Sequence, residues 1–234
     1  MLSHTTNFSG TPSLSDRANL GRSARVAPPA ACHGLTDALE MMGAPMSFAR
    51  NAEIYGENEP AEYLYKLVSG TVRTSKILND GRRQIGEFYM PGDLFGHEVG
   101  SEHSFSAEAI TQVKVIVIKR SAVEALAARD HDVARQLWAM TGRELQRMQE
   151  HILLLIKTAQ ERVAGFLLEM AERIKSTTEV ELPKSRQDIA DYLGLTIETV
   201  SRTLTILENS AAIALPSSRR IVLCNRAALR RLNG

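Results

Sequence analysis

Apolar positions change their spacing along the chain, and each spacing predicts a different kind of element. Between residues 35 and 120 they alternate with polar ones in short runs: YLYKLVSGTVRTSKI (63–77), QIGEFYM (84–90) and KVIVIK (114–119). Successive side chains of a strand point to opposite faces, so alternation predicts half-buried strands. Asn79-Asp80-Gly81 and Pro91-Gly92-Asp93 supply the turns between them. Short strands at even intervals predict a small antiparallel roll or sandwich over residues 35–129. Beyond Lys119 the period lengthens to that of a helix. A short helix is predicted over residues 121–129 and a long one over 131–157. On the long helix Trp138, Thr141, Leu145, Met148, Ile152 and Leu155 recur at steps of three and four, a coiled-coil seam that is imperfect at Thr141. Packing within its own chain would explain such a stripe, but a symmetric dimer seam is the preferred reading, with residues 130–158 as the dimerisation helix.

A further amphipathic helix is predicted over residues 161–174 (Val163, Phe166, Leu167, Met170, Ile174), followed by a strand around Val180. Residues 185–208, SRQDIADYLGLTIETVSRTLTILE, then read as two short helices around a tight turn. Ser185 with Asp188 three residues on is a capping box, which satisfies backbone donors that a helix start leaves free. Ile189 and Leu193 share a face. Gly194 stands where the chain needs a left-handed residue, and Thr196 caps the second helix. That helix has an inner stripe of Val200, Leu204 and Leu207, and Ala190 is small where the helices cross. This is the arrangement of a helix-turn-helix.

The other face of the second helix carries Glu198, Ser201 and Arg202 at i, i+3 and i+4. N-terminal residues of such a helix meet base edges in the major groove of DNA. Arginine can grip guanine through two hydrogen bonds, and glutamate can accept from the cytosine amino group. An exposed ion pair between Glu198 and Arg202 is the plainer alternative. Further on, IALPSSRRIVLC (213–224) has two β-prone ends around Pro216-Ser217-Ser218-Arg219-Arg220, which predicts a wing hairpin whose tip suits phosphate contacts. Residues 159–234 are therefore expected to form a winged helix-turn-helix, and the whole is an α+β fold.

Charge adds one asymmetry. The chain has 234 residues and a net charge of +1. From Lys184 onward eight lysines and arginines face four acids, so this end carries +4 and the remainder −3. A locally basic end is an electrostatic footprint for phosphate. Residues 1–34 are rich in Ser, Thr, Pro, Gly and Asn with scattered arginines, and are expected to be a flexible tail. No apolar run or leader-like segment points to a membrane or export, and two cysteines far apart, Cys32 and Cys224, fit a reducing cytoplasm. His97, Glu98, Glu102 and His103 lie close together, but their spacing matches no tight zinc pattern, so no metal and no cofactor is expected. Neither a nucleophile–base constellation nor a phosphate loop suggests an enzyme.

A β-roll, a long seam helix and a C-terminal winged helix, in that order, resemble the CRP/FNR family of bacterial transcription regulators. LPKSRQDIADYLGLTIETVSRTLTILE (182–208) looks most like its FixK-type branch. The resemblance implies a cyclic-nucleotide-binding-like roll and a cytoplasmic homodimer that binds double-stranded promoter DNA and contacts RNA polymerase, one contact being the roll hairpin of residues 79–83. It gives base reading to Glu198, Ser201 and Arg202, with Ile197 near a thymine methyl or else on the inner stripe. Phosphate contacts would come from Ser185, Arg186, Thr196, Thr199, Ser217, Ser218, Arg219 and Arg220. The implied target is an inverted repeat of the TTGA–six bases–TCAA kind, with half-sites about one turn of B-DNA apart.

Departures bear on the sensor. Members that bind cyclic AMP carry a glutamate after an FG pair and an Arg-Ser or Arg-Thr pair further on. Here His97 follows Phe95-Gly96 and Phe105 precedes Ser106, so the phosphate lacks its arginine. Residues 1–34 offer one cysteine, where an iron–sulfur centre normally needs four thiolates. FixK-like regulators typically act without a small-molecule effector, downstream of an oxygen-responsive system that controls microaerobic respiration, nitrogen fixation or denitrification genes. The rival reading is a ligand-gated regulator whose roll binds a cyclic nucleotide, haem or another effector.

Overall fold

The computed structural model describes residues 34–174, 179–181, 185–217 and 220–233. Cys32 and the expected tail, apart from Gly34, lie outside these residues, as do Ser218 and Arg219 of the expected wing tip.

The described chain opens with a helix, α1 (Leu35–Met42), where only strands were expected. Leu35, Ala38 and Leu39 stand at i, i+3 and i+4, and all three are buried. The signal is a single helical repeat too short to register against the alternating texture that follows. Eight strands come next: β1 (Ala44–Phe48), β2 (Glu53–Tyr55), β3 (Tyr63–Ser69), β4 (Val72–Ile77), β5 (Arg83–Tyr89), β6 (Leu94–Phe95), β7 (Ser106–Ala109) and β8 (Val113–Lys119). They form two four-stranded sheets, ordered β1-β8-β3-β6 and β2-β7-β4-β5. Every pairing is antiparallel, with Tyr65 opposite Val117 in one sheet and Val72 opposite Tyr89 in the other. The turn at Asn79-Asp80-Gly81 joins β4 to β5, and Gly81 takes φ +83°, a value that favours glycine.

Between the sheets the roll is filled by rings. Tyr55 stacks on His103 with centroids 3.6 Å apart, Tyr65 lies 5.2 Å from Phe95, and Tyr89 lies 5.1 Å from Phe95. All five are buried. Such pairs add to the area they bury and fill space densely.

Helix α2 (Arg120–Ala127) leads into α3 (His131–Leu155). The Asp130 side chain accepts from the amides of Asp132 and Val133 and so caps α3. One flank of α3 faces the roll, where His97 Nε2 meets Glu144 at 2.8 Å. The other flank is uncovered. Trp138 is 82 % exposed, Leu145 and Met148 57 % each, and Ile152 61 %. Leu155, at the end of the stripe, is half-buried near the turn glycine Gly194. Thr141 satisfies its hydroxyl on the Leu137 carbonyl at 3.1 Å, which makes a polar residue tolerable in the stripe.

After a break at residues 156–158, Thr158 and Glu161 form a capping box that starts α4 (Ala159–Arg173). Then come β9 (Glu179–Glu181), α5 (Arg186–Leu193), α6 (Ile197–Asn209), β10 (Arg220–Val222) and α7 (Arg226–Asn233). The expected wing is rearranged. Its two arms meet in a single bridge, Ala214 with Val222, and β10 takes its main antiparallel partner from β9. Leu215 and Pro216 fall outside the ladder, consistent with a proline that cannot donate to it. Among the described residues no helix is long and apolar enough to cross a membrane.

One apolar cluster joins the C-terminal helices to the roll. Phe88 on β5 sits 5.1 Å from Tyr192 on α5 and 6.4 Å from Phe166 on α4.

Candidate nucleic-acid interface

The local chemistry of residues 185–209 produces the expected helix pair. Asp188 N–H donates to Ser185 Oγ at 3.0 Å, and Ser185 N–H donates to Asp188 Oδ2 at 3.0 Å. Gly194 ends α5 at φ +62°, ψ +39°. A methyl group placed there would find its nearest neighbour at 3.6 Å, an ordinary contact, so the dihedral rather than the space selects glycine. Thr196 Oγ1 then accepts the Thr199 N–H at 3.2 Å and starts α6. Val200, Leu204, Leu207 and Ala190 are buried, which locks α6 across α5.

With the inner stripe committed, the residues left over face outward. Glu198, Ser201 and Arg202 are all exposed on α6. Hydrogen bonds from its own backbone N–H and from the Thr196 hydroxyl hold the Glu198 carboxyl below its usual range, and Arg202 lowers it further through space. Glu198 is thus an acceptor at neutral pH and Arg202 a donor, the pair of roles a G·C pair requires. Ile197 is 37 % exposed, on the outer side rather than with the inner stripe.

Among the expected phosphate contacts, Thr196 and Thr199 place their hydroxyls 3.1 Å apart at the start of α6, where backbone N–H groups and the helix dipole favour an anion. The Ser185 hydroxyl is engaged in its capping bond. Arg186 is half-buried; burial lowers its pKa, and its Nη1 is enclosed without a hydrogen-bond partner. Ser217 Oγ accepts the Arg220 N–H at 3.2 Å, which ties the wing loop to the exposed start of β10.

On the roll hairpin of residues 79–83 the Arg83 guanidinium turns inward. Its Nε donates to Asp191 at 2.7 Å and its Nη2 to Asp188 at 2.7 Å. Asp80 and Arg82 pair with each other at the exposed tip, at 2.7 Å. The hairpin and the start of α6 form opposite walls of a groove of about 790 Å³. Arg73 on β4 also reaches Asp188, Nη1 to Oδ1 at 2.6 Å, while its Nη2 holds Glu108 at 2.7 Å. Sequence reasoning missed Arg73 entirely. Its partner lies 115 residues away, and the capping role of Asp188 gave no hint of a second one.

Within the region of His97, Glu98, Glu102 and His103, His103 Nδ1 approaches Glu98 Oε1 at 3.7 Å. His97 goes to Glu144 on α3, and the hydrogen bond it donates to that carboxylate raises its pKa against the effect of burial. His103 is buried in the ring stack and its pKa is lowered by burial. Among the described residues no His, Cys, Asp or Glu cluster is arranged to hold a metal. Phe105 packs its ring against Gly86 of β5, so an aromatic edge stands at the position of the phosphate arginine.

The comparisons with known proteins agree with this architecture. Residues 45–130 match the cyclic nucleotide-binding domain and residues 161–232 the Crp-like helix-turn-helix domain. The chain belongs to the CRP/FNR family of transcription regulators, which are not enzymes. It is a FixK-type regulator with a helix-turn-helix DNA-binding domain. It is 56 % identical to the nitrogen fixation regulation protein FixK of Azorhizobium caulinodans over 82 % of this chain and 80 % of that protein. FixK of Rhizobium meliloti is 41 % identical over 81 % of this chain and 90 % of its own. The structure of FixK2 from Bradyrhizobium japonicum superimposes with a TM-score of 0.79 at 51 % identity, covering 82 % of this chain and 98 % of that one.

Proposed function

We propose that this regulator binds a TTGA–six bases–TCAA type of palindrome in promoter DNA as a cytoplasmic homodimer. It acts mainly as an activator through RNA polymerase, without a small-molecule effector. The observation that carries the reading is the outward face of α6, where an ionised carboxylate, a hydroxyl and a guanidinium share one exposed patch above a fully buried stripe. Glu198, Ser201 and Arg202 choose the sequence, with Ile197 beside them. Ser185, Arg186, Thr196, Thr199, Ser217, Ser218, Arg219 and Arg220 set the register on phosphates.

The uncovered stripe of Trp138, Leu145, Met148 and Ile152 supports the dimer, because isolated apolar side chains on a long helix gain stability only by pairing. Two-fold pairing along α3 gives each half-site its own recognition helix. Phe105 at the position of the phosphate arginine supports effector independence. Names of the FixK relatives support a role in nitrogen-fixation gene control, within the microaerobic or denitrification setting.

A gel-shift titration with the palindrome and with a scrambled duplex tests the reading. Specific binding of two chains per duplex, unchanged by cyclic AMP, is expected. Equal affinity for the two duplexes would remove base reading, and heat on titration with cyclic AMP would restore the ligand-gated alternative.

A further inference from the structure

We infer that Arg73 and Arg83 are positioning residues for DNA recognition: half-buried charges of the roll that, through the buried Asp188, fix the attitude of the recognition helix and so decide which half-site spacing the protein accepts. The inference rests on the palindrome-binding dimer proposed above.

Asp188 is 3 % exposed, and both oxygens of its carboxylate are engaged. Oδ1 takes Arg73 at 2.6 Å and Arg83 at 2.7 Å from the roll, while Oδ2 takes the Ser185 N–H that begins α5. The carboxylate that starts the first helix of the helix-turn-helix is therefore also the point where that helix is docked. Arg83 adds a second anchor at Asp191, one turn along, and Arg73 is itself held from behind by Glu108. Two anchors a turn apart on an eight-residue helix define its direction as well as its place.

Apolar packing alone does not do this. The contact of Phe88 with Tyr192 and Phe166 holds the two parts together, but burial of apolar surface is nearly indifferent to rotation. Guanidinium–carboxylate pairs are directional, and a buried carboxylate that loses its partners is left uncompensated, so intermediate orientations are penalised. The covalent link between α3 and α4 is only residues 156–158. Orientation is thus passed from the seam helix through His97–Glu144 to the roll, from the roll through Arg73 and Arg83 to α5, and from α5 across Ala190 to α6. Neither arginine lies on the DNA-reading face, so their effect on binding is through geometry.

The test uses the full-length chain with Arg73→Met and Arg83→Met together, which keeps much of each aliphatic stem, and the two Arg→Lys changes as the conservative set. Affinity is measured for palindromes with five, six and seven bases between half-sites, and for a six-base palindrome with the G·C pair inverted. Separately, spin labels on Cys224 and on Val99→Cys, in a Cys32→Ser background diluted with unlabelled chain, report the roll-to-helix distance without DNA. Wild type should favour one spacing. The Met pair should bind that spacing about tenfold more weakly and lose most of the preference, keep the penalty for the inverted G·C pair, and broaden the distance distribution, with the Lys pair intermediate. A retained spacing preference with an unbroadened distribution overturns the inference. So does loss of the G·C penalty, which would mean that the helix pair itself had come apart. If wild type binds no palindrome while the Met pair still broadens the distribution, the palindrome reading fails and the positioning role of the arginines stands.

Discussion

The face of α6 and the contact beneath α5 lie within a few residues of each other but are built on opposite principles. On the face, charged groups are exposed and their neighbours in space are neighbours in sequence, as with Glu198, Ser201 and Arg202. Beneath α5 a buried carboxylate is paired with half-buried arginines more than a hundred positions away, as with Asp188, Arg73 and Arg83. Exposed charges contribute little to stability because water screens them and solvates each group almost as well alone. They are free to spend their hydrogen bonds on a partner. Buried pairs contribute specificity of arrangement, since each group is costly without the other. The molecule thus separates reading from aiming.

Breaking the support common to both regions should have the largest effect. Leu204→Ala opens a cavity under the recognition helix and should cost about 2–5 kcal/mol of unfolding free energy, read by denaturant titration. A smaller loss would mean that the helix crossing can collapse around the gap. Next comes the face itself. Arg202→Ala should cost about 1–3 kcal/mol of binding and relax discrimination at one base pair, with the melting temperature unchanged. If consensus and scrambled duplexes are bound as by wild type, base reading lies elsewhere.

The turn between the two helices sharpens the comparison, because its requirement is dihedral and not steric. Gly194→Ala should cost about 1–2 kcal/mol of stability, the penalty of a left-handed alanine, although the methyl has room. A neutral result would show that the turn relaxes. Smallest is an effect of pH on the joint between roll and α3. The Glu144 hydrogen bond raises the pKa of His97, so its contribution to stability is present below the unfolded value near 6.5 and is lost as pH rises through the higher folded value. His151, stacked on Tyr192 with its pKa lowered by burial, works the other way, costing stability as pH falls below its unfolded value. Melting curves between pH 5 and 8 should therefore flatten in opposite senses for His97→Gln and His151→Gln. Parallel shifts would contradict the assignment.

The sequence by itself determined whatever depends on groups a few residues apart. Capping by Ser185 and Thr196, the left-handed Gly194, the stripe of Val200, Leu204 and Leu207, and the outward trio on α6 follow from helical periodicity and backbone hydrogen-bonding needs. Both act locally, so they were legible together with the strand texture and the long seam helix. The first helix, Leu35–Met42, was not legible, because one helical repeat is too brief to stand out from alternating strands. The wing was half legible: its β-prone arms were visible, but β10 turned to β9 as its partner, a choice between non-local pairings.

Only the tertiary structure decided that Arg83 turns inward, that Arg73 matters to the helix-turn-helix at all, and that rings fill the roll. The physical reason is common to the two arginines. An arginine reads the same in sequence whether it faces water or a buried carboxylate, and only the packing of distant elements removes the water and makes the pairing obligatory.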